Sequence, residues 1–288
     1  MALAALSGDE QLVIFSKLCN VLDPGVAVAF ASASSELWTL TQAPRQQLQA
    51  DHEAAALLGR KAGYRSCKEL REAKRVECIH KGLSSDDLSL LGTLGSVLPA
   101  LETLILHEPA AGPDGVPRLA EKLGAGALPA VIALRLAATH VGDAGASALA
   151  AALGRGALPR LKFLYLRSTA IGDAGLVALA PALRRQPELE ILGLGSNPLG
   201  DEGLAALVAP PPPPAGALPA PTGGLPKLKW LDLSLTQIAD AGCAALAEAL
   251  DSGTLPARAH LILQGIPASF VATVAVTQAL YRARDRFS

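Results

Sequence analysis

Four aspartates stand in nearly the same surroundings: VGDAG at Asp143, IGDAG at Asp173, LGDEG at Asp201 and IADAG at Asp240. Carboxylates gathered in one place ligate calcium or divide acid and base work between them. These recur about once every 30 residues, so they are expected one per structural unit, spread out rather than gathered. Each precedes a helical pattern, where a carboxylate accepts the unpaired backbone N–H groups of a helix start. Cys67, Cys78 and His80 form a lone C-x-H with one thiol upstream. A structural zinc takes four ligands in two pairs, so no metal is expected and Cys78 reads as part of a short alternating strand. His107 beside Glu108 reads as a surface pair. No G-x-S-x-G, H-E-x-x-H or G-x-x-x-x-G-K-[ST] occurs, so no catalytic residue and no cofactor are expected.

The aspartates belong to longer phrases that must be positioned by a common architecture. LRLAATHVGDAG, LYLRSTAIGDAG, LGLGSNPLGDEG and LDLSLTQIADAG are four versions of one sentence. A Leu-Pro pair precedes most copies, at Leu98, Leu128, Leu158, Leu225 and Leu255, and a further copy starts at Gln186. Copies therefore run about 98–127, 128–157, 158–185, 186–224, 225–254 and 255–284, with a degenerate one at 75–97. Such a period means a solenoid whose units bury their faces only against neighbours. Within a copy, Leu164 and Leu166 alternate as in a strand, and Leu176, Leu179 and Leu183 follow at helical spacing. Between them, Thr139, Thr169, Asn197 and Thr236 are placed to bond the backbone of an adjacent coil.

The pattern L-x-x-L-x-L-x-x-[N/T]-x-[I/V/L]-G-D-x-G resembles the ribonuclease-inhibitor-like class of leucine-rich repeats over residues 75–284. The resemblance implies an α/β solenoid, with a curved parallel sheet inside and helices outside. It also places the useful residues on the concave sheet: His107, Arg135, Phe163, Tyr165, Arg167, Trp230 and Asp232. Tyr, Trp and Arg anchor interfaces most often. Gly193 and Gly195 are expected to leave a notch between the aromatic pair and Trp230. The last copy keeps Leu261 and Leu263, loses G-D-x-G, and reads as a cap whose Arg282, Arg284, Asp285 and Arg286 give a wet end.

Residues 1–74 carry no repeat and read helical, the stretch 24–42 as one helix after a break at Asp23-Pro24-Gly25. Leu6, acidic residues, Ile14, Leu18, the Asp-Pro turn and Trp38 resemble an F-box, whose helices bind the Skp-type adaptor of a cullin–RING ubiquitin ligase. The motif departs from the family: Ser7 stands in place of Pro, four residues separate Leu18 from the turn, and no Cys precedes Trp38. The other reading of this segment is a cap on the first coil, which every solenoid needs. The insertion APPPPPAGALPAPTGG at 209–224 is either a polyproline ligand or a tolerated loop.

With 50% hydrophobic residues but only 3% aromatic, the core must be built from Leu, Ala and Val. A net charge of −1 leaves no basic excess for phosphates, so neither nucleic acid nor an anionic membrane is an expected partner. The start MALAALSGDEQ lacks the features of a secretion signal, and a cytoplasmic or nuclear protein is expected. Together these readings give a non-enzymatic protein-recognition module, either a ubiquitin-ligase substrate receptor or a scaffold subunit of a larger assembly.

Overall fold

The computed structural model describes residues 6–209 and 224–286, so the proline run 210–214 of the insertion lies outside the described residues. The chain begins with α1 (Gly8–Leu18), opened by a capping box. Ser7 Oγ accepts from the Glu10 N–H, and the Glu10 carboxylate accepts from the Ser7 backbone. The stretch 24–42, expected as one helix, holds two, α2 (Gly25–Ala31) and α3 (Ser35–Leu40), and reaches the start of a third. Ser34 causes the break: its backbone is extended, and its hydroxyl accepts from the Leu37 N–H at 3.1 Å. α4 (Gln42–Ala62) is long and ends on Gly63 at φ 99°, a left-handed position suited to glycine. The short α5 (Cys67–Glu72) follows.

From Arg75 onward strand and helix alternate. The pairs are β1 (Arg75–Ile79) with α6 (Ser85–Leu94), β2 (Thr103–His107) with α7 (Gly115–Lys122), and β3 (Ala133–Arg135) with α8 (Gly142–Gly154). Next come β4 (Phe163–Tyr165) with α9 (Asp173–Arg184), and β5 (Ile191–Gly193) with α10 (Asp201–Val208). β6 (Trp230–Asp232) with α11 (Asp240–Asp251) and β7 (His260–Ile262) with α12 (Phe270–Arg286) complete the series. The strands form one parallel sheet in chain order, with Leu104, Leu134, Leu164, Leu192, Leu231 and Leu261 side by side. Each helix packs on the next. Leu104, Leu106, Leu136, Leu166, Leu192, Leu194, Leu231 and Leu233 are fully buried between sheet and helices. Burial of each is worth about 1.5–3 kcal/mol.

The two ends are closed differently. α4 and α5 seal the first coil, contributing Ala55, Leu58, Cys67 and Leu70 to the continuous solenoid core. At the other end Leu261, Leu263 and Ile266 remain partly exposed, because no coil follows among the described residues.

Polar rungs tie the coils together. Thr139 Oγ1 donates to Leu106 O and accepts from the Glu108 N–H, both in the preceding coil. Asn197 accepts from the Thr169 and Ile171 N–H groups and donates to Leu166 O. Thr169 reaches its neighbour through Asn197, whereas Thr236 bonds Leu233 O of its own coil.

The aspartates do cap helices, but not their own. Asp143 Oδ1 accepts from the N–H groups of Gly172 and Gly175 at 2.7 and 3.0 Å, at the start of α9 in the next coil. Asp173 does the same for Gly200 and Gly203, and Asp201 for Ala239 and Gly242. Asp240 takes the Ser269 N–H at 2.6 Å and its hydroxyl at 2.9 Å. The reason is position: Asp173, Asp201 and Asp240 are already the first helical residues, so their side chains project along the stack. This also explains the second glycine of G-D-x-G. A Cβ on Gly203 would lie 2.7 Å from Asp173 Oδ1 and 3.1 Å from Asp173 Cα.

Asp173→Ala should therefore destabilise the chain by about 1–2 kcal/mol in a urea melt, through loss of two hydrogen bonds to a charged acceptor. Gly203→Ala should cost at least as much, and should cost measurably less when introduced into Asp173→Ala, since the carboxylate it meets is gone. Strict additivity of the two would mean that the carboxylate does not set the need for glycine.

Candidate functional site

Most of the residues expected on the inner face lie in two rows across the sheet, set by the register. Phe163, Ile191, Trp230 and His260 align; so do Arg135, Tyr165, Gly193 and Asp232. His107 follows Ile105 on β2, and Arg167 lies just past the end of β4. Phe163 and Tyr165 are half-buried, while Trp230 stays 41% exposed. The Trp230 ring rests against His260 with centroids 4.4 Å apart. The Arg135 guanidinium lies over the Tyr165 ring, 4.5 Å from its centroid. Such a stack adds about 0.5–1 kcal/mol at an exposed site and holds the guanidinium in place.

The notch expected at Gly193 and Gly195 is filled. Arg167 reaches across β5 to Asp232 at 3.2 Å and to Ser234 Oγ at 3.2 Å. A Cβ on Gly195 would fall within 3.1 Å of Arg167 Nη1 and nearer still to Asp232 and Ser234. The glycines thus serve to let side chains of the flanking coils meet over the middle one. Asp232 also accepts from the Ser234 N–H and hydroxyl, so its charge is well satisfied. At the first coil, Arg75 holds Glu77 at 2.6 Å, and this hydrogen bond is the main cause of a Glu77 carboxyl held below the usual range.

His107 and Glu108 do not form a surface pair. His107 lies half-buried against His80, ring centroids 4.5 Å apart. Glu108 turns inward, fully buried, and accepts from the backbone N–H groups of Lys81, Gly82 and Leu83. It caps the first coil from the second, a role that its place beside a histidine conceals. Cys78 is buried on β1, and its thiol is pushed up to about 12, first by burial and then by nearby Glu108. Among the described residues no three or more His, Cys, Asp or Glu gather for a metal ion. No helix among them is long and apolar enough to cross a membrane.

The second candidate surface is the N-terminal helices. Phe15, Ala27, Ala31 and Leu48 form a small core of their own, separate from that of the solenoid. Leu6, Ile14 and Leu18 are half-buried, Leu18 against this cluster. Trp38 is partly open under the Arg45 guanidinium, 3.3 Å from the ring centroid. It lines a pocket of about 280 Å³ with Pro24, Val28, Leu48 and His52. Val13, Val26, Val28 and Trp38 are all between 39% and 58% exposed. The three valines and Arg45 were not singled out in the sequence. Val13 lies one position from Ile14 and gives way only once the helix faces are known.

The chain carries an α/β leucine-rich-repeat solenoid. The family pattern described as "Leucine Rich repeat" matches residues 158–180, 187–208 and 224–247, the coils of β4, β5 and β6. No curated protein matches the chain. Among similar solved structures is leiomodin-1 actin-binding site 2, 17% identical, covering 60% of this chain and 90% of that one with a TM-score of 0.40. Another is internalin C2 from Listeria monocytogenes, 19% identical, covering 77% and 88% with a TM-score of 0.41. Proteins with such repeats generally mediate protein–protein interaction.

Gly195→Ala should release the bridge over β5 and destabilise the chain by about 1 kcal/mol, as overpacking does. Gly193→Ala, whose Cβ would meet Tyr165 at an ordinary 3.4 Å, should be nearly neutral. Equal urea midpoints for the two variants would show that the bridge does not occupy that space in solution.

Proposed function

We propose that this protein is a non-enzymatic recognition module that holds one protein on its inner sheet face and a Skp-type adaptor on its N-terminal helices. It would thus act as a substrate receptor of a cullin–RING ubiquitin ligase. The observation that carries the second half is the division of labour at the N-terminus. α4 and α5 already close the solenoid, so α1 to α3 are not needed as its cap. These helices instead pack on α4 around Phe15 and leave Val13, Val26, Val28 and Trp38 toward solvent. Leu22, in the turn between α1 and α2, is their contribution to the solenoid core, and the apolar surface they leave outside it is what an adaptor interface needs.

A second reading, a scaffold subunit within a larger assembly, is favoured by the other end. Phe270 and Val271 are 82% and 76% exposed beside the half-open Leu261, Leu263 and Ile266.

The test is co-elution of the full chain with a purified Skp-type adaptor, beside a Val26→Glu, Val28→Glu variant and a chain lacking residues 1–40. A complex formed by the full chain and lost in both others, with unchanged melting of the point variant, is the expected outcome. Both valines are exposed, so their replacement should move stability by less than about 0.5 kcal/mol. A folded full chain that never co-elutes with the adaptor would remove the receptor reading and leave the scaffold.

A further inference from the structure

We propose that the segment recognised by the inner face is acidic, docking a carboxylate on Arg135 and an apolar side chain beside Trp230. The inference rests on the recognition role assigned to that face above, and it names the partner's chemistry.

Three guanidiniums and two carboxylates stand on the strand rows of this face. Arg75 is held by Glu77 at 2.6 Å, and Arg167 by Asp232 at 3.2 Å. Arg135 is exposed and makes no ion pair among the described residues. At the rim where the chain enters the strands, Lys74 pairs with Glu102, and Lys162 and Lys229 share the single carboxylate of Glu190. Arg135 is thus the guanidinium of these rows with no carboxylate at ion-pair distance; Glu77 lies in its row two strands away, and the Arg135 charge helps to hold that carboxyl below the usual range.

That charge is also held for use. Stacking on Tyr165 fixes the plane of the guanidinium and leaves its N–H edges open, the geometry that receives a carboxylate in two parallel hydrogen bonds. The apolar anchor is fixed too, since Trp230 is braced by His260. Between them lie the half-buried Tyr165 and Ile191, with buried Gly193 beside the Tyr165 ring. Arg135 and Trp230 are three strands apart and two residues out of row. At about 4.8 Å per strand and 3.4 Å per residue, their separation is roughly 16 Å. An extended segment covers that in about four or five residues. The partner's acid and apolar residue should therefore be spaced by that number.

The experiment is selection of random 12-residue peptides displayed on phage against the full chain, with counter-selection against Trp230→Ala. Peptides so obtained are remade with each Asp or Glu replaced by its amide, and both forms are titrated against the wild type and Arg135→Gln. The expected result is binders with an acid four or five positions from an aromatic or aliphatic residue. Its amide replacement should weaken binding about tenfold or more on the wild type and hardly at all on Arg135→Gln, because the lost partner is the same. Binders lacking an acid, or as tight on Arg135→Gln as on the wild type, would overturn the inference while leaving recognition by this face intact. Failure to obtain any peptide that separates wild type from Trp230→Ala would overturn the recognition role itself, and this inference with it.

Discussion

Each helix from α9 onward begins on a charge supplied by the coil before it, and much else in the solenoid follows from that contact. A helix start leaves N–H groups unpaired, and an anion there is favoured by both hydrogen bonding and the helix dipole. In a globular domain the cap usually comes from the residue next door. Here Asp143, Asp173, Asp201 and Asp240 reach one layer along the stack, so the cap is also the fastening between layers. Because the carboxylate lies almost against the receiving backbone, the residue two positions after the receiving coil's own aspartate, Gly175, Gly203 or Gly242, has no room for a side chain. That is why the glycines and the aspartate travel together.

The contact has a direction, and so it has an end. Counting one coil onward from Asp240 reaches Phe270, which has no carboxylate to extend, and from Thr236 reaches Ile266, which has no hydroxyl for a rung. At the first coils the same need is met from the other side, with the buried Glu108 reaching back to the N–H groups of residues 81–83. The fastening also survives interruption. Asp201 makes its two bonds, at 2.8 and 2.9 Å, to the coil that follows the proline-rich insertion, against 2.7 and 2.8 Å for Asp173, whose next coil follows without one. The register of β5 on β6 likewise continues that of β4 on β5.

Much of this was legible in the residues, because periodic burial and periodic glycine are both local signals. Leu164, Leu166 and their equivalents announce the strands, and G-D-x-G announces the helix starts. What the linear pattern conceals is which layer a side chain serves: Asp173 precedes its own helix in sequence, yet in space its carboxylate belongs to the next. The turns leaving the strands are concealed for a similar reason. Ala138, Ser168, Ser196 and Leu235 all take positive φ, between 52° and 57°, where composition offers no glycine to mark it. Backbone bonds to the next coil hold them there, as from the Ser168 N–H to Gly195 O. The break before α3 was open to a closer reading, since Ser34 followed three residues on by the first buried leucine is a helix start.

The inner face shows how such a regular frame acquires an individual surface. Positions that fasten coils are fixed in type, so only the outward strand positions are free to differ, and what they do depends on the neighbouring coils. Arg167 finds Asp232 two strands away only because the coil between them has Gly195. A larger residue there would leave both charges facing solvent and change the sign pattern of the whole face. Arg135, one strand earlier, has Tyr165 beside it instead of a carboxylate, and so keeps its charge while losing its freedom. Charge placement on this sheet is thus decided by small residues as much as by charged ones. A reading that ranks positions by their chemical groups alone would pass over Gly195, although it is what lets Arg167 be paired while Arg135 stays open.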